Sequence, residues 1–137
     1  MNDVLQNIVD RIKTHEGFRG ECYKDPKGIP TIAYGIKLPL TKDEGELLLK
    51  HRLQQKWHEL INYKPFIVDL PEEVQGVLAE MAYQLGTKGL LGFKNMWRAL
   101  QERDFVTASM EMLDSKWARE DSPKRAEELA QIVREAV

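Results

Sequence analysis

The sequence has one cysteine, three histidines and no long run of apolar residues, and each shortage removes a class of protein. Cys22, standing alone, excludes an intramolecular disulfide framework and fits a reducing compartment. His15, His51 and His58 form no i,i+4 pair and have no cysteine or second histidine at metal-ligand spacing, so no metal and no other cofactor is expected. No stretch approaches the roughly 20 apolar residues of a membrane span. The opening MNDVLQNIVDRIKTHEG mixes charge with apolar residues, so neither a secretory signal nor membrane insertion is expected. Excess positive charge is also missing. A formal net charge of −2 and an isoelectric point near 6.0 provide no field that would draw the chain onto nucleic acid.

What is present suits a globular chain. Its 137 residues are 42% hydrophobic and 31% charged, enough for one compact domain or two small lobes sharing a helix. Val4, Leu5, Ile8, Val9 and Ile12 recur at helical spacing behind an Asn2 or Asp3 cap, predicting a helix to about His15. Residues 18–40 carry Gly20, Gly28 and Gly35 and Pro26, Pro30 and Pro39 between short runs, the pattern of a small antiparallel sheet. Asp25-Pro26-Lys27-Gly28 has the residues of a type I turn and holds Asp25 at a strand end.

Thr41-Lys42-Asp43-Glu44 is a capping box. Leu49, Leu53, Trp57, Leu60 and Ile61 mark one face of the helix it opens, about 30 Å long for roughly twenty residues. Beyond residue 70 the chain reads as helical. Pro71 starts a helix with the stripe Val74, Val77, Leu78, Met81 and Leu85, ended by Gly86. Shorter helices follow at about 93–102, 104–114 and 122–135. Trp57 and Trp97 fall in apolar patterns and read as core. The fold class is α+β.

Cutting a glycosidic bond takes a protonated acid at the leaving oxygen and a second carboxylate that activates water or attacks carbon. Glu16, where a helix hands over to a strand, can project into a cleft, and partial desolvation there would favour its protonated form. Asp25 follows after one short strand, and Thr31 lies across the turn, where its hydroxyl can share a water with Asp25. Taken singly, these are a surface glutamate, a turn aspartate and a strand threonine.

Their joint spacing carries a resemblance. His15-Glu16-Gly17-Phe18-Arg19, then Cys22-Tyr23-Lys24-Asp25-Pro26-Lys27-Gly28, then Pro30-Thr31-Ile32-Ala33-Tyr34-Gly35 resembles the active-site segment of the T4-type phage lysozymes, glycoside hydrolase family 24. The family pattern of Glu, eight residues, Asp, five residues, Thr is kept. A second stretch, Met81 to Gly86, Gly89 to Met96, Ser115-Lys116-Trp117 and Ser122 to Ala126, is similar to the family's C-terminal lobe with one extra residue between Trp117 and Pro123. Ala33 replaces a usual glycine, and Ile36 stands where a histidine often follows the second glycine.

The resemblance implies a lysozyme-like domain over 1–137. A small β-containing lobe would span about 13–45. A helical lobe would span about 60–137 together with helix 3–15, a helix of about 42–62 would link the two, and a groove would run between them. It implies a muramidase, Glu16 as general acid, Asp25 handling water and Thr31 holding it, with inversion at the anomeric carbon. Tyr83, Gln84 and Phe93 match groove positions, Lys37, Met96 and Glu111 align with others of different residue type, and Arg125 matches an arginine near the acid. The implied partner is peptidoglycan, reached by a monomer held in the host bacterial cytoplasm until a holin releases it for lysis. Two other readings are a non-catalytic glycan-binding or structural relative and a lytic transglycosylase, which forms an anhydro product without a water site.

Overall fold

The computed structural model describes residues 3–137, so Asn2, offered above as a cap, lies outside the described residues. The chain divides into two compact units, residues up to Leu47 and Leu48–Val137.

In the first unit, α1 (Asp3–Glu16) ends where the sequence changes character. Gly17 takes φ +69 and its N–H bonds back to the Lys13 carbonyl at 3.0 Å, closing the helix in the left-handed backbone that glycine adopts freely. Three strands follow, β1 (Arg19–Lys24), β2 (Pro30–Ala33) and β3 (Ile36–Lys37), as an antiparallel sheet in the order β1-β2-β3. Tyr23 faces Thr31, which faces Lys37, while a bulge between Arg19 and Tyr23 shifts the outer part of β1. The predicted turn forms between β1 and β2. Gly28 N–H donates to the Asp25 carbonyl at 2.8 Å.

The capping box also forms. Thr41 N–H reaches Glu44 Oε1 at 2.8 Å and Glu44 N–H reaches Thr41 Oγ1 at 3.2 Å, opening α2 (Lys42–Tyr63), within which the division into units falls.

In the second unit a 3-10 turn at Pro65–Asp69 precedes α3 (Glu72–Leu91), α4 (Lys94–Gln101), α5 (Phe105–Leu113) and α6 (Pro123–Arg134). The expected stop at Gly86 is present as a break inside α3, at φ 79 and ψ 156, after which a further helical turn runs to Leu91. Between α5 and α6 lies a π turn, Trp117–Asp121, closed by Ser122 N–H on the Trp117 carbonyl at 2.8 Å.

α5 packs on α4 and α6, and α6 on α3. Leu60, Ile67, Val74, Leu78, Met81, Leu90, Leu100, Met112 and Val133 fill the core among them. Trp97 is buried there with its Nε1–H donated to the Leu90 carbonyl at 3.0 Å, and Trp57 packs at the edge, so both tryptophans serve the core. With small sheet and helical remainder, the chain is α+β.

Candidate active site

Asp25 is held by three donors in the first unit. Its Oδ1 accepts the Lys27 N–H at 2.9 Å and the Ile29 N–H at 2.8 Å, so the carboxylate caps its own turn. Its Oδ2 takes the Lys37 Nζ at 2.6 Å across the sheet. The side chain is 9% exposed. This contact with Lys37, then the Ile29 and Lys27 amides, holds the Asp25 carboxyl below the ordinary aspartate value, against the opposing effect of burial. The same contact raises Lys37, aided by the charges of Glu16 and Tyr23. Asp25 is therefore an anion and Lys37 a cation throughout the neutral range.

Thr31 is fully buried at the centre of the sheet. Its Oγ1 donates to the Ile29 carbonyl at 2.8 Å, the same oxygen that accepts the Asp25 N–H at 3.0 Å. One peptide group thus ties Asp25 and Thr31 together. With its proton committed to Ile29, the threonine oxygen keeps its lone pairs as acceptors.

Glu16, the last residue of α1, is brought to the sheet by its neighbours. Lys13 Nζ lies 5.5 Å from the Tyr34 ring centroid, and Phe18 packs on Tyr34 at 5.3 Å. The Glu16 side chain then lies against Gly35. A Cβ built there would stand 2.6 Å from Glu16 Cδ and 3.0 Å from Cγ, closer than van der Waals contact, and Gly35 has φ +70. Glycine suits the position on both counts, for the left-handed backbone and for the room it leaves the Glu16 side chain. Ala33, two residues earlier, adopts φ 59, a left-handed backbone that explains the usual glycine at that position.

The remaining candidates lie in the second unit, apart from Lys37. Tyr83, Gln84 and Arg125 line one hollow with Arg52, Gln55 and Lys56. Phe93, Met96 and Glu111 line another, of about 310 Å3, with Ser115. Gln84 is fixed twice, giving its Nε2 to Ser122 Oγ at 2.7 Å and accepting Trp117 Nε1–H at 3.0 Å. Arg125 donates to Glu80 Oε2 at 2.7 Å. Phe93 meets Trp117 edge to face at 6.1 Å, and Met96 is buried in the core. Sequence reasoning missed Glu80 and the contacts that Lys37 and Gly35 make. Only the glycine carried a signal, through its place in the family strand.

Comparison with known proteins identifies the family. Residues 13–134 match the phage lysozyme family. The chain is 27% identical to the endolysin of Salmonella phage P22, covering 95% of this chain and 97% of that protein. It is 22% identical to probable T4-type lysozyme 1 of Dictyostelium discoideum over 95% of each, and 23% identical to probable T4-type lysozyme 2 of the same organism over 94% of each.

Proposed function

Because the chain belongs to the phage lysozyme family, a lysozyme-type glycosidase family, we propose that it is a muramidase that hydrolyses the β-1,4 bond between N-acetylmuramic acid and N-acetylglucosamine in peptidoglycan. The observation that carries this reading is the anchored Asp25, joined through Ile29 to the Thr31 hydroxyl on the sheet against which Glu16 rests.

Glu16 gives its proton to the leaving glycosidic oxygen as the bond to the anomeric carbon breaks. Water, oriented by Asp25, whose turn the buried Thr31 braces through the Ile29 carbonyl, adds to that carbon from the opposite face and releases its own proton to Asp25. Because three donors already hold the Asp25 carboxylate, its main contribution is orientation and charge, with proton acceptance late in the step. A single displacement of this kind inverts the anomeric centre. Tyr83, Gln84, Phe93, Glu111 and Arg125 are proposed to contact the glycan, whereas Met96, expected among them, is taken up by the core. Among the described residues no helix is long and apolar enough to cross a membrane. A monomer released to the wall with the help of a holin, for host lysis, completes the proposal.

The test is mass spectrometry of purified peptidoglycan digested by the wild type and Glu16→Gln, with NMR of the first-formed anomer. Reducing ends that have gained water, an α-anomer first and silence from Glu16→Gln are expected. Anhydro ends would assign a transglycosylase instead, and no product at all would assign a binding protein.

A further inference from the structure

The resemblance groups Lys37 with residues that touch saccharide, whereas its ammonium sits 2.6 Å from Asp25 Oδ2. A carboxylate offers about four acceptor sites. Lys27 N–H and Ile29 N–H take two on Oδ1, and Lys37 takes one on Oδ2, leaving a single site on Oδ2. The direction of that last site is set by where Lys37 stands. Lys37 is placed by the sheet itself, being the β3 residue directly opposite Thr31, with Leu38 N–H bonded to the Pro30 carbonyl at 2.9 Å to keep the strand in register. Residues opposite one another in an antiparallel pair project to the same face.

We propose that Lys37 is a positioning residue for the hydrolytic water, locking Asp25 Oδ2 so that its one open acceptor site meets that water. The inference rests on the muramidase reading and deepens it. An exposed ion pair as a class contributes little. This one differs in that its carboxylate is 9% exposed and already immobilised on the other oxygen, so the ammonium determines orientation more than stability. The charged and titratable groups facing the ammonium are Asp25 from the end of β1, Tyr23 within β1 and Glu16 from α1. Lys37 also holds Asp25 ionised to lower pH than an aspartate without that partner.

A saccharide contact and a positioning role separate in kinetics. Lys37→Met and Lys37→Arg are compared with wild type for release of reducing ends from soluble glycan over about pH 3 to 7, with carbon NMR titration of the Asp25 carboxyl. For Lys37→Met, kcat is expected to fall roughly ten- to a hundredfold, the scale of a misplaced reacting group. KM should stay within about twofold. The acid limb and the Asp25 titration should both move to higher pH. Lys37→Arg, which keeps the charge, should recover at least about a third of kcat. A raised KM with unchanged kcat would make Lys37 a saccharide contact and overturn the proposal, as would an unmoved acid limb. A wild type that releases no reducing ends, while Asp25 and Lys37 still titrate as a pair, would overturn the muramidase reading and this role with it. An active wild type whose Asp25 titration ignores Lys37→Met would overturn this role alone.

Discussion

Gly35→Ala separates stability from turnover. The residue has φ +70, where an L side chain costs about 1–2 kcal/mol, offset by about 0.4–1 kcal/mol from the stiffer unfolded chain. The net loss is about 1 kcal/mol, or about 4 °C in Tm for a chain of this size. The added methyl also meets Glu16 Cδ at 2.6 Å, where carbon atoms prefer about 3.5–4.0 Å. Glu16 must retreat by about 1 Å, and a displacement of that size costs about a hundredfold in rate. Swinging away the end of a flexible side chain adds little to the stability loss. Gly28→Ala is the control, since Gly28 has φ +81 but nothing within 4 Å of a built Cβ. Both variants should therefore lose about the same Tm by calorimetry, while only Gly35→Ala loses reducing-end release from peptidoglycan at a temperature where both are folded. Gly35→Ala turning over within about twofold of wild type would refute the close approach of Glu16 to this backbone.

Other outcomes follow from the same structure. Ala33→Gly relieves the left-handed backbone at φ 59 and should raise stability by about 0.5–1 kcal/mol in urea titrations, the same balance reversed. Leu78→Ala, at a 1% exposed core position, should cost about 2–5 kcal/mol, read from the same titrations. Thr41→Ala removes one arm of the capping box and should cost about 1 kcal/mol, again by urea midpoint. The Asp25 carboxyl is lowered in the folded chain from its ordinary 3.8, so its stabilisation is fully present above that value and is lost as pH falls through the lower, folded one. Asp25→Asn should accordingly flatten the acid end of a stability-against-pH curve, and an unchanged acid limb would count against the ion pair with Lys37.

Much of this was legible in the sequence where a local pattern has a local cause. Thr41 and Glu44 close their box, and Asp25 to Gly28 close their turn, because each bond spans three residues and needs no tertiary context. Gly86 was legible as a break, yet the helical turn after it was not, because Thr87 to Leu91 is too short to show a period and depends on Leu90 entering the core. The 3-10 turn at Pro65–Asp69 escaped for the same reason. The π turn at Trp117–Asp121 escaped as well. Of the candidate site, spacing placed Glu16, Asp25 and Thr31 around one sheet, while Lys37 on Asp25 depends on strand register, which pairs residues twelve apart. Arg125 on Glu80 bridges two helices and has no sequence signature.

The bonds made by Asp25 and Thr31 also bear on how descent should be read in this family. Asp25 closes its own turn through Oδ1, and Thr31 is a buried strand residue bonded to Ile29, so both would be retained for folding after catalysis had ceased to matter. A lineage drifting from enzyme to binding protein would keep these two and be free to change the glutamate that ends the first helix. In such a lineage the aspartate and threonine are fossils of the fold, and the glutamate is the informative character.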